Sequence, residues 1–408
     1  MAERQTGEVR RRQVFYLPGF DPFPPRRYRE LYRREGLAQA AISGYRLSLS
    51  PQEKGSPGYG WTVRTRIGET RTEAHVAVLV WADLVQESMT RGILGTYALL
   101  ARTAWIYAAS GALVALVRLR VAPMIAAFWP VVMLLGQLLI AVLLGYAAGW
   151  AVALVIPGAV GVILGAGALF TVAWAVLHAF RRYDGKLYAY YLMYDFAHVA
   201  ARKGAYAPEL VARMREFADR VEAALGDPSV DEVLVVGHSS GAALGVSVLA
   251  DVLRRGMPEG GPLLAFLTLG HAVPMQSYLP EAHALRRDLR ALSEDARLTW
   301  VDISAKGDGC CFSLCDPVAC SGVAGPDQRW PLVVSAAFSE SLRPETWRKL
   351  RRRFFRLHFQ YLAAFDNPRD YDYFQITAGP MTLAARYGGR NPSPSRRAVS
   401  FNPHGEGR

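Results

Sequence analysis

Outside one central stretch, short β-branched and aromatic runs alternate with segments whose apolar residues recur every three or four positions. "RQVFYLPGF" (residues 12–20) has the composition of a buried strand ending in a Pro-Gly bend, and "PRRYRELYRREGLAQAA" (25–41) the spacing of an amphipathic helix. "GYRLSLS" and "TEAHVAVLVWAD" predict further strands. Lys186 to Arg202 and Pro208 to Leu225 then predict helices. A strand over Glu232 to Val236, a helix beginning near Ala242, and strands at "LLAFLTLGH", "RLTWVDIS" and "WPLVVSAAF" follow. This alternation predicts an α/β fold, with a mostly parallel sheet covered by helices. The Gly-, Pro-, Ser- and Arg-rich end, residues 388–408, is expected to be disordered.

The central stretch breaks the pattern. The 60 residues from Val121 to Phe180 contain no Asp, Glu, Lys or Arg, and one membrane span needs about 20 apolar residues. A two-helix transmembrane hairpin is therefore expected, with spans near 124–146 and 152–178 and a tight connection at Gly145 to Trp150. Arg118 and Arg120 precede it and Arg181 and Arg182 follow it, while the connection is uncharged. That asymmetry places both ends on the cytoplasmic side of the inner membrane. Gly92 to Val117, apolar but interrupted by Arg102, is expected to be an interfacial helix. The chain then divides into a first core part (11–95), a membrane insertion (96–184) and a second core part (185–387). The charged start, "MAERQTGEVRRRQ", lacks the apolar run of a secretory signal.

Composition narrows the partners. The 408 residues are 51% hydrophobic, enough for a substantial core, and carry a formal net charge of +12. The basic residues are mostly Arg in separate clusters without a stripe of interleaved aromatics. They point to an anionic membrane surface and away from nucleic acid. Cys310, Cys311, Cys315 and Cys320 share one loop, in a spacing that matches no common zinc-ligand pattern. No metal site and no organic cofactor is implied, and the cysteines are expected to be reduced thiols.

Between the Glu232–Val236 strand and its following helix lies Gly237-His238-Ser239-Ser240-Gly241. In a G-x-S-x-G turn between strand and helix, the serine backbone is strained and its neighbours must be small because the two elements approach closely. The helix N-terminus behind it offers free N–H groups and a partial positive charge where an oxyanion would form.

The elbow, with "VFYLPGFDP", "LTLGHAVP", "WVDISAKGDG" and "LHFQYL", resembles the α/β-hydrolase superfamily in its lipase- and esterase-like branches, over both parts of the chain outside the hairpin. The resemblance implies an α/β-hydrolase fold and a Ser, acid, His order along the chain, with Ser239 as nucleophile and His358 as base. His271 lies too early for the pattern and His404 lies in the tail. The acid is Asp308 or, alternatively, Asp316 further along the same loop, with Asp302 inside the strand. The backbone N–H of Ser240 is the expected first oxyanion donor, and Gly19 or Phe20 the second. These residues imply a membrane-anchored serine hydrolase acting on an acyl ester, thioester or lipid. An acyltransferase using the same triad and a catalytically silent membrane scaffold are the alternatives.

Overall fold

A computed structural model describes residues 7–406 apart from 53, 54 and 56. Thus the first six residues of the charged start, and the last two of the tail, lie outside the described residues. Eight strands, β1 (Arg11–Leu17), β2 (Arg46–Pro51), β3 (Tyr59–Ile67), β4 (Thr70–Val78), β5 (Glu232–His238), β6 (Leu263–Leu269), β7 (Leu298–Ser304) and β8 (Leu332–Ser335), form one sheet. Their spatial order is β2-β3-β4-β1-β5-β6-β7-β8. Every neighbour pair from β4 to β8 is parallel, and β2-β3-β4 is an antiparallel meander.

The sheet is covered on both faces. Val14, Tyr16, Val76, Val78, Leu234 and Val236 point into one core, while Phe15, Leu17, Ala77, Val233 and Val235 point into the other. Successive strand residues face opposite sides, so a strand in the middle of such a sheet must be apolar throughout. All seven residues of β5 are buried. Sequence reading missed β3, whose "WTVRTRI" alternation suits a strand with one exposed face. β1 and β5 lie side by side although the membrane insertion separates them in sequence. The fully buried Arg12 and Glu232 join them at 2.6 Å. Arg12 also donates to the carbonyls of Gly379 and Met381, and Glu232 accepts from the Leu383 N–H, which fastens the C-terminal region to this seam.

In chain order the first helices are α1 (Arg26–Ser43), α2 (Ala82–Ser88), α3 (Ile93–Ala109) and α4 (Ala112–Leu119). The next six are α5 (Val121–Val155), α6 (Gly158–Arg182), α7 (Asp184–Leu187), α8 (Ala189–Ala200), α9 (Pro208–Leu225) and α10 (Gly241–Arg255). α5 and α6 are long and apolar enough to cross a membrane, and expose Leu139, Ile140, Leu143, Val162, Ile163 and Phe170.

The connection of this hairpin is at Ile156–Pro157, not at Gly145 to Trp150, and α5 is correspondingly longer than the expected span. The glycines that suggested a turn instead form the contact between the two helices. A Cβ at Gly149 would lie 2.6 Å from the Gly165 carbonyl oxygen, and one at Gly145 2.6 Å from that of Leu169. Small residues let apolar helices approach this closely, and dispersion then holds them. The expected single interfacial helix over Gly92 to Val117 is two helices, α3 and α4, bent by 75° at Ser110–Gly111.

The tail expected to be disordered is packed as far as Glu406. Arg396 pairs with Asp316, the Arg397 N–H donates to Leu314, and the buried Asn402 bridges Ser277 and Ser321. Its Gly, Pro and Ser content reflects irregular backbone lying on a surface rather than lack of a partner.

Candidate functional site

The central strand β5 ends at His238, and Ser239 takes a left-handed conformation (φ 59°) before α10 begins at Gly241. For a residue with a side chain this is a strained backbone, held in place by its surroundings. The Ser239 N–H donates to the Leu269 carbonyl, and its own carbonyl accepts from the N–H groups of Ala242 and Ala272. The flanking glycines are required by space. A Cβ at Gly237 would stand 2.8 Å from the Ala242 Cα, and one at Gly241 would collide with the carbonyl oxygens of Leu17 and Pro18.

His358 ends a short helix, Phe354–His358. Its Nδ1 lies 2.7 Å from Oδ2 of Asp308, which lies in the loop after β7 and is fully buried. The same carboxylate accepts from the Tyr361 hydroxyl at 3.1 Å and, through Oδ1, from the Cys310 N–H at 2.9 Å. Burial by itself would raise the Asp308 carboxyl. The neighbouring His358 charge and the hydrogen bonds from His358 and Cys310 outweigh it and hold the group below the ordinary carboxylate range. A proton on Nδ1 facing a carboxylate leaves the Nε2 lone pair free, and Nε2 is buried without a partner among the described residues.

Both groups border the turn at Leu269–Gly270. Ser239 bonds to the Leu269 carbonyl, and a Cβ at Gly270 would lie 3.2 Å from both His358 Cε1 and Asp308 Oδ2. No hydrogen bond joins Ser239 to His358 among the described residues. Such contacts are often long without substrate and tighten in the complex.

Asp316, the alternative acid, is occupied elsewhere. It caps the short helix Pro317–Cys320 by accepting from the N–H groups of Val318 and Ala319, and pairs with Arg396. Asp302 lies inside β7 and accepts from the Thr268 hydroxyl. His271 bonds to the Cys315 carbonyl and His404 to that of Ser110. The four cysteines are free thiols in the loop that carries Asp308.

His238 stacks against His358 with ring centroids 4.7 Å apart, and its Nε2–H donates to the His358 carbonyl at 3.0 Å. Burial, together with the adjacent His358 charge, pushes His238 down to about 3. It is therefore neutral and fixes the backbone from which His358 projects.

Gly19 and Phe20 follow β1 and lie against the elbow, where a Cβ at Gly19 would come within 2.9 Å of the Ser239 Cβ. The Phe20 N–H already donates to the Ser240 hydroxyl at 2.8 Å. The N–H groups of Ser240 and Gly19 have no acceptor among the described residues, whereas that of Phe20 is already taken.

Sequence reading missed one contributor. α8 presents Tyr191, Asp195 and His198, at i, i+4 and i+7 on a single face, over the Phe20 loop. The Tyr191 hydroxyl donates to the Phe20 carbonyl, and the His198 ring lies 5.5 Å from that of Phe20 and 5.8 Å from that of Trp81. Polar residues at that spacing inside the otherwise apolar "AYYLMYDFAHVA" were the available signal.

Comparison with protein-family models, with curated proteins and with solved structures finds no match.

Proposed function

We propose that this chain is a membrane-anchored serine hydrolase that cleaves an acyl ester, thioester or lipid. The observation that carries the reading is the strained Ser239 at the strand-to-helix turn, with a buried His358–Asp308 pair beside the same turn and an unpartnered Nε2. In this reading His358 Nε2 takes the Ser239 proton as the hydroxyl attacks the acyl carbonyl, and Asp308 holds the imidazole in the required tautomer. The N–H groups of Ser240 and Gly19, at the N-terminal end of α10, receive the oxyanion. His358 then protonates the leaving group, and water releases the acyl group by the reverse sequence.

The membrane part of the reading rests on topology. Strands before and after the hairpin lie in one sheet, so both flanks occupy one side of the bilayer and the number of crossings is even. Arg118, Arg120, Arg181 and Arg182 at the base of the hairpin favour the cytoplasmic side. α8 packs against α5 and carries Tyr191 to the Phe20 loop, which supports a site near the bilayer and a lipid-borne acyl group. Labelling of the detergent-solubilised chain with a fluorophosphonate probe tests the chemistry. Wild type is labelled and Ser239→Ala is not; an unlabelled wild type leaves the scaffold alternative.

A further inference from the structure

A cavity of about 110 Å³ lies beneath α8, with Ser240 and Leu244 of the elbow region on one side and Asp195, His198, Phe20 and Trp81 on the other. The Asp195 carboxylate, half-buried, makes no hydrogen bond or ion pair among the described residues. Burial raises it from the ordinary carboxylate value to about 7, with the His358 charge opposing that rise. Other titratable or charged groups lie around it: His358 and Cys310 from the catalytic loops, Tyr107 from α3, Tyr191 from its own helix, and His198 and Arg202, which line the same cavity. None of them satisfies it.

Asp195 lines the cavity with no protein hydrogen-bond partner among the described residues, so its carboxyl oxygens are available to accept from a ligand placed there. The cavity is also far smaller than the roughly 300 Å³ or more of a drug-sized ligand pocket. A long acyl chain does not fit that volume, and Asp195 sets one polar group in an otherwise largely apolar wall. A group of a few heavy atoms with a hydrogen to donate fits, and the aromatic rings of Phe20 and Trp81 favour a positive charge that the Arg202 side chain in the same lining opposes.

We propose, resting on the hydrolase reading, that this cavity receives the alcohol portion of the substrate. Asp195 is its specificity residue and selects alcohols that carry a hydroxyl or ammonium hydrogen-bond donor near the scissile ester oxygen. The acyl chain leaves the site on another side. The shared chemistry is the donor: a free hydroxyl, as in a glycerol ester, or a protonated amine, as in an amino-alcohol ester.

The test uses the full-length, detergent-solubilised chain and two isosteric pairs of butyrate esters. They are 2-hydroxyethyl against propyl, and 2-(dimethylammonio)ethyl against 3-methylbutyl. A site built to pair a substrate donor discriminates strongly against the analogue that lacks it, so wild type should prefer the donor ester of at least one pair by about tenfold or more in kcat/KM. The pair that shows the preference identifies which donor is read. Asp195→Leu should bring that ratio to within about threefold of one. Asp195→Asn should retain a hydroxyl preference but lose an ammonium preference, because the amide oxygen still accepts but carries no charge.

A wild-type ratio near one in both pairs overturns the proposal. So does an unchanged ratio in Asp195→Leu with both esters slowed equally, the signature of a merely structural residue. If Asp195→Leu does not fold, the wild-type ratios and Asp195→Asn decide. Failure of the hydrolase reading looks different: no ester of the panel is turned over and the fluorophosphonate probe does not label Ser239. Turnover without preference sinks the cavity assignment alone.

Discussion

Replacing Asp308 by Asn tests the proposed triad, because in that reading its two carboxylate oxygens have separate duties. Oδ1 accepts from the Cys310 N–H, while Oδ2 accepts from His358 Nδ1 and the Tyr361 hydroxyl. An Asn offers one acceptor and one donor group. If its oxygen stays with Cys310, its NH2 faces His358 and forces the ring into the tautomer with the proton on Nε2, where no base remains for Ser239. If the oxygen faces His358, the NH2 opposes the Cys310 N–H in a buried setting, at a cost of about 1–3 kcal/mol. Either arrangement removes the negative charge that stabilises the imidazolium.

The expected loss is about 10⁴-fold in kcat, the scale known for amide replacement of a triad acid, or roughly 5 kcal/mol of barrier at 1.36 kcal/mol per decade. Asp316→Asn is the paired control. Its oxygen can still cap Val318 and Ala319 while the Arg396 ion pair is lost, so stability should fall by about 1–3 kcal/mol while turnover stays within about threefold. Turnover of a short butyrate ester, with circular dichroism to confirm folding, reads both variants. A folded Asp308→Asn that loses less than about tenfold, or equal losses in the two variants, would refute the assignment of the acid.

Three further outcomes are expected. Glu232→Gln leaves the fully buried Arg12 without its counter-charge and should lower stability by about 3–5 kcal/mol in denaturant titration; a loss below about 1 kcal/mol would show the pair contributes little to the seam. A topology reporter at Pro157 should fall on the opposite side of the membrane from reporters at residues 90 and 200, and separation of the latter two would break the single-sheet argument. The Asp195 carboxyl is raised on folding, so the folded state favours its protonated form. The stability associated with it is present at acid pH and lost as pH rises through about 7. Asp195→Asn should therefore raise the melting temperature relative to wild type above neutrality and not below the ordinary carboxylate range; a pH-independent difference would contradict this.

Features written in neighbouring residues are legible in the sequence alone. The apolar run of β5, the glycines around Ser239 and the charge-free stretch from Val121 to Phe180 each state their own conformation, because strand burial, turn sterics and membrane solubility act locally. β3 was missed because its alternating "WTVRTRI" carries several polar residues, and only antiparallel pairing with β2 and β4 makes it a strand. The turn placed at Gly145 to Trp150 failed for a related reason. A run of small residues serves a bend and a helix–helix contact equally well, and only the partner helix distinguishes them.

What the sequence determined by itself is therefore most of the strands and helices, the position of the strained serine and the existence of an apolar hairpin. Tertiary structure alone decided the pairings: β1 beside β5 across the insertion, Arg12 against Glu232, His358 with Asp308 rather than Asp316, the Phe20 N–H taken by Ser240, and α8 laid over the elbow with Asp195 unsatisfied. Each of these joins residues far apart in the chain. Which distant carboxylate meets which histidine depends on how the whole core closes, and no local propensity encodes it.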